Sequence, residues 1–135
     1  SGVGPGVAGG PIPPGAAVSF EVSSTERRFS LVSMVICTND GFAGLNSIKL
    51  PRWEGETTTL RVRAYDAGSE INTERHDDLV PAPFCGGGGK GTTASNPALA
   101  ENRKVRLHHG IEGVGDLGPQ FDWSNPVAEV TITRN

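Results

Sequence analysis

The chain has 135 residues, of which 36% are hydrophobic and 6% aromatic, with 19 glycines and 10 prolines. That length suits one domain with an economical core and much of its chain in loops. A formal charge of −3 with scattered arginines argues against nucleic acid as a partner, and the longest apolar run, residues 31–37 around Ser33, is too short for a transmembrane segment.

Residues 1–15 form a Gly/Pro-rich arm with few side chains, extended or flexible if alone. Residues 16–135 form the domain proper. Such an arm can lie along a neighbour's sheet edge with little steric demand. No leader pattern opens the chain, so it reads as a mature or trimmed form.

Strand candidates follow with period-2 alternation. Val18, Phe20 and Val22 alternate with Ser19, Glu21 and Ser23. Residues 29–37 are the most apolar segment and the expected centre of the sheet. Residues 47–50 read as a short strand ending at Pro51. Residues 57–65 alternate Leu60, Val62 and Ala64 against Thr59, Arg61 and Arg63. Residues 104–108 place Val105 and Leu107 on one face, and residues 128–133 place Ala128, Val130 and Ile132 inward. No window carries a sustained helical period. Short helical turns are expected at 77–79 and 97–101. The fold class is all-β: an antiparallel β-sandwich with long loops.

Cys37 and Cys85 follow neither a CxxC nor a metal-finger pattern. They read as one disulfide, the alternative being two buried thiols. A disulfide implies an oxidising compartment, hence a secreted, extracellular or cell-surface protein. Nearly all of residues 66–103 reads as loop, and so long a loop needs fastening.

Two oxygen-rich turns follow strands. One is Thr38-Asn39-Asp40-Gly41, and the other runs from Asp66 through Glu70 to Asn72 and Glu74. Spacing alone leaves two readings open, a solvated acidic turn or a site for a hard cation. Asn39 could be a ligand or a turn cap. Glu74, Asp77 and Asp78 read as surface charges.

The quoted segments carry a resemblance. Residues 29–35 followed by Thr38-Asn39-Asp40-Gly41-Phe42 and Gly44-Leu45 resemble the spondin N-terminal domain. So do Ala64-Tyr65-Asp66-Ala67-Gly68-Ser69-Glu70, then Asn96-Pro97, His109-Gly110-Ile111 and Gly115-Asp116-Leu117. Trp123 with residues 126–132 completes the match, which covers residues 16–133 in the order of the bacterial members. The resemblance implies a secreted β-sandwich with Ca²⁺ at its loop end. It implies Asp40, Asp66 and Glu70 as carboxylate ligands, Glu70 standing where the family often has Asp. It also implies a role in adhesion or the extracellular matrix. Family domains usually begin with further strands upstream of the segment matching residues 12–22. Their absence leaves either a compact variant or an open edge, which is a template for strand addition.

Other features carry less. His108 and His109 are adjacent on a strand and point to opposite faces, which is poor geometry for one ion. With His76 they are expected to be structural. The run from Cys85 through Gly86-Gly87-Gly88-Gly89-Lys90-Gly91 lacks the arrangement of a phosphate loop. Ser33 and Cys37 lack the surroundings of a nucleophile, so no enzyme is expected. Trp123 is expected to pack at a sandwich edge. Trp53 is either a contact anchor or folded over the core.

The expected function is therefore a Ca²⁺-binding extracellular adhesion or self-assembly protein. It would be a homo-oligomer or a matrix or surface component, with the arm docking on a neighbour. The alternative is a stand-alone module that recognises a glycan, a lipid headgroup or a host surface through its metal-bearing loops.

Overall fold

A computed structural model describes residues 11–79, 85 and 96–135. The first ten residues of the arm and the glycine run after Cys85 lie outside the described residues.

The described chain is all-β. Five strands, β1 (Arg28–Met34), β2 (Gly41–Lys49), β3 (Thr57–Asp66), β4 (Arg106–Leu107) and β5 (Ala128–Thr133), form one connected antiparallel sheet. The sheet runs β1-β2-β3-β4, and β5 also pairs with β3. Among the described residues helix is limited to single 3₁₀ turns at His76–Asp78, Pro97–Leu99 and Pro119–Phe121.

Alternation accounts for β3 and β5. Leu60 and Val62 pair across from Val130 and Ala128. On the other face, Thr57 meets Thr133 and Thr59 meets Thr131, each hydroxyl pair 3.1 Å apart. The segment 29–37 is not central: among the described residues β1 pairs with β2 alone and lies at an edge of the sheet.

β2 begins earlier than its apolar pattern suggests, because side-chain chemistry closes the turn before it. The Thr38 hydroxyl donates to the Val35 carbonyl at 2.6 Å and accepts from Gly41 N at 2.8 Å. Asn39 and Asp40 are thereby held in a tight turn, and pairing starts at once with Met34 opposite Phe42. A bulge interrupts the ladder beyond Leu31, where Ser47 takes a positive φ of 55°.

β2 and β3 pair only from Gly41 opposite Asp66 to Gly44 opposite Arg63. Beyond that the two strands separate. Residues 45–49 of β2 keep β1 on one side, and residues 57–62 of β3 keep β5 on one side. The facing edges of these two stretches pair with no described strand.

The core sits toward the other end. Leu79, Cys85 and Leu117 are buried together, with Ile36, Cys37, Ile111 and Phe121 packed against them. The disulfide joins Cys37 to Cys85 across 48 residues with Cα atoms 5.3 Å apart, as expected. Among the hydrophobic side chains of the sheet Val62 and Ala64 are buried, whereas Phe29, Leu31, Leu45, Ile48, Leu60 and Val130 are half-buried.

The expected strand at 18–22 is not formed. Residues 11–26 belong to no strand, and Ile12, Val18, Phe20 and Val22 are exposed; Arg27 O accepts from Leu50 N, and Glu21 Oε1 accepts from Asn135 Nδ2 at 3.2 Å. Among the described residues the segment outside the sheet thus extends past residue 15. Alternation gave this segment the sequence of a strand, but no edge of its own sheet accepts it.

Candidate functional site: the acidic loop end and the basic hairpin end

Strand pairing divides the molecule into two ends. Gly41 and Asp66 lie at one, and Arg28, Lys49, Thr57 and Thr133 lie at the other.

At the first end Asp66 closes β3 and is 1% exposed. A buried carboxylate needs donors or a counter-charge, and it has both. Oδ1 accepts from Gly68 N at 2.7 Å, while Oδ2 accepts from Asn72 Nδ2 at 2.7 Å. Arg106, from β4, reaches the same Oδ2 with Nε at 3.0 Å and its terminal nitrogen at 2.8 Å. The bonds and charge of Asp66 raise the Arg106 pKa. Gly68 is required at its position. Its φ is +72°, and a Cβ there would strike the Arg103 carbonyl, whose residue donates its own N–H to Gly68 O at 2.8 Å.

Asp40 works across the gap between the loops. Its Oδ2 accepts from Ser69 N at 2.6 Å, Ser69 Oγ at 2.8 Å and Glu70 N at 2.8 Å. Asn39 Oδ1 accepts from Thr73 N at 3.2 Å. The first turn therefore clamps the second, and Asn39 is a clamp as well as a turn residue. Glu70 meets Asp40 through its backbone N–H and pairs with Ala100 in an isolated bridge.

Asp40 and Asp66 are thus brought to one loop end, and Glu70 stands beside them in the chain. Among the described residues no three His, Cys, Asp or Glu side chains form a group able to hold a metal ion. Oxygens without donors are nonetheless present. Asp40 Oδ1, Asn72 Oδ1 and Glu101 Oε2 are buried and take part in no hydrogen bond. Glu101 Oε2 lies 3.6 Å from Arg106. Neither Glu101 nor Arg106 stands out in the sequence, because their recruitment depends on residues 99–103 running beside 68–71.

Glu74 overturns its reading as a surface charge. It is 5% exposed, and its carboxylate accepts three backbone N–H groups: Glu112 at 2.6 Å, Gly113 at 2.7 Å and Val114 at 2.8 Å. Its own carbonyl accepts from Asp116 and Leu117. One residue with a φ of 51° therefore anchors the whole 112–117 loop. Such a nest of backbone donors has no side-chain signature in the sequence. Asp78 also departs from a free surface charge, since its Oδ2 accepts from Thr73 Oγ1 at 2.7 Å.

Two of the three histidines, His76 and His108, are held by contacts within the fold. His108 is 6% exposed and lies 5.0 Å from the half-buried Trp123 ring, and its Nδ1 accepts from Gly110 N at 3.2 Å. Burial lowers its pKa. His109 is exposed. His76 packs edge-on against Phe121 and meets Asp116 at 3.2 Å, and bonds from His76 lower the Asp116 pKa.

At the second end Trp53 is 66% exposed, which decides against its folding over the core. The Arg52 guanidinium lies 4.8 Å from the ring centroid. Glu56 Oε2 accepts from Arg52 N and Trp53 N and so fixes the hairpin tip; those two bonds lower its pKa. Beside Trp53 runs an open groove of about 770 Å³ whose lining includes Arg27, Arg28, Lys49, Arg52 and Arg134, with Glu26 as the one acid. Arg28 is tied to the Ser47 carbonyl at 2.6 Å.

No helix among the described residues is long and apolar enough to cross a membrane. No protein-family model matches the chain, and neither a curated protein nor a solved structure does.

Proposed function

We propose that this chain is a structural subunit of an extracellular assembly, a spondin-type β-sandwich in which the N-terminal arm of one copy docks on the next. One observation carries this reading. Val18, Phe20 and Val22 have the alternation of a half-buried strand, yet they are exposed and belong to no strand. Each such side chain gains about 2 kcal/mol on full burial. The half-buried inner face of the sheet offers a place to gain it. The disulfide supports an oxidising, secreted or cell-surface setting.

Calcium belongs to the same reading. The donor-free oxygens of Asp40, Asn72 and Glu101 suit a hard cation, and Asp66 adds charge beside them. Arg106 already neutralises part of that charge, so the ion would share the site with a guanidinium. Asp40 and Asp66, with the Asn72 amide oxygen, would hold it, and Glu70 and Asn39 would shape the turns around it. Bound Ca²⁺ would fasten the two loops and leave surface recognition to other parts.

The second reading is a stand-alone binding module. The exposed Trp53 beside five cationic side chains favours it, for an acidic glycan, lipid headgroup or host surface.

Removal of residues 1–24 decides between them. Under the first reading light scattering changes from an oligomer to a monomer, while the far-UV spectrum stays β. An unchanged oligomeric state on deletion would sink it.

A further inference from the structure

Accepting the reading that the arm joins copies, we infer where it lands and in which direction. It enters the notch between β2 and β3 of the neighbour and lies antiparallel to residues 45–49 of β2.

The notch is the place where pairing fails inside the sheet. β2 and β3 are paired as far as Gly44 and Arg63, and beyond that each has one edge that pairs with no strand among the described residues. Unpaired N–H and C=O groups in a sheet recruit another strand. The inner-face residues on either side, Leu45 and Ile48 on β2 and Leu60 on β3, are half-buried.

The arm matches this notch in length and pattern. Residues 18–22 are five in number, as is the stretch 45–49, which pairs with β1 on one side only and in which Ser47 is held by Arg28 and Ser30, and five residues of strand span roughly 17 Å. With Val18, Phe20 and Val22 on one side, Ser19, Glu21 and Ser23 face away. The arm therefore presents one apolar face to the notch and one polar face to water.

Charge selects the direction. The arm joins its own domain at Arg27 and Arg28, the basic end of the sheet, where Lys49, Arg52 and Arg134 also lie. The opposite end carries Asp40 and the exposed Glu112 as well as the buried Asp66, whose charge Arg106 already balances. An arm antiparallel to the neighbour's β2 runs toward the Gly44–Arg63 end of the notch, the side on which that neighbour's acidic loops lie. The basic groove of the donor then faces the acidic loops of the acceptor. An arm running the other way would leave at the acceptor's basic end and set two cationic grooves together. Like charges brought together at an interface cost several kcal/mol. A head-to-tail contact of this kind uses two different surfaces and so propagates.

The test uses the full chain with Phe20→Arg, which blocks its own arm, and a synthetic peptide of residues 11–27. Amide hydrogen exchange is followed as peptide is added. Exchange should slow at least tenfold within residues 45–49 and 57–60, and a peptide carrying the same Phe20→Arg change should have no effect. A nitroxide at the peptide's N-terminus should broaden signals near Lys49, and one at its C-terminus should broaden signals near Gly41. Protection on the outer edge of β1 or β5 would overturn the site, and the reverse broadening pattern would overturn the direction. Absence of peptide protection where Phe20→Arg does yield monomers would overturn the notch while leaving arm-driven assembly standing. If instead deleting the arm leaves the oligomer intact, the underlying reading fails first.

Discussion

Arg106 holds Asp66 through a single carboxylate oxygen, with two guanidinium nitrogens at 2.8 and 3.0 Å from Oδ2. The other oxygen is left to the backbone of Gly68. β4, only two residues long, thereby ties its own position to the end of β3, and the charge of a nearly inaccessible aspartate is balanced from within the chain. Asp66→Ala strips Gly68 N, Asn72 and Arg106 of their acceptor and should cost about 2–3 kcal/mol in denaturant unfolding. Arg106→Gln should lower the melting temperature of the wild type more than that of the Asp66→Ala variant, because the two share one interaction. Equal losses in both backgrounds would mean that the pair is not coupled.

Calcium should raise the melting temperature with concentration, and a chelator should reverse the rise, by mass action on the folded state. Asp40→Asn keeps one oxygen for Ser69 and Glu70 but removes the charge, so the calcium-dependent rise should shrink. An undiminished rise in both Asp40→Asn and Asp66→Ala would exclude these carboxylates as ligands.

Glu74→Gln tests the loop anchor. The amide offers one acceptor oxygen where the carboxylate uses two, and its NH₂ group would oppose backbone donors. A loss of about 2 kcal/mol is expected. Faster amide exchange should be confined to residues 112–117. Unchanged exchange there would show that the loop is held by other means.

His108 should make the fold acid-sensitive above the carboxylate range. Its pKa is lowered in the folded state because burial disfavours the charged ring. The unfolded chain then binds more protons, and stability rises with pH. The contribution is present above about pH 6.5, the unfolded value, and is lost as pH falls through the lower folded value. Melting temperature should drop between pH 7 and 5, and His108→Asn, which retains an acceptor for Gly110 N, should flatten that slope. A slope that persists in the variant would assign the effect to other groups.

Replacing both Cys37 and Cys85 with Ser should cost about 4 kcal/mol in the chain-entropy model, given the 48-residue separation. Reduction of the wild type should give a similar loss. If the protein in its reduced form unfolded at the same denaturant concentration, the loop would owe its order to Asp40, Asp66 and Glu74 alone.

The all-β class, β3, β5 and the disulfide could be read from the sequence because they rest on local alternation and on two isolated cysteines. The clamp from Asp40 to Ser69 was half legible. The acids stood out, but their donors are backbone groups, which every residue carries. Glu74 was misread for the same reason: three N–H groups contributed by Glu112, Gly113 and Val114 look like nothing in a string of letters. Residues 18–22 pose the reverse problem. Their pattern is that of a strand, and pattern alone does not say which molecule supplies the edge.

The entry of the arm at Arg28 has a mechanical consequence. β1 runs from that residue to Met34 alongside β2, with its paired residues spaced along its length. Tension applied through the arm pulls β1 along its own axis. The ladder is then loaded in shear, with its hydrogen bonds resisting together, instead of peeling open one at a time. A thread of such subunits would yield late and abruptly under stretch.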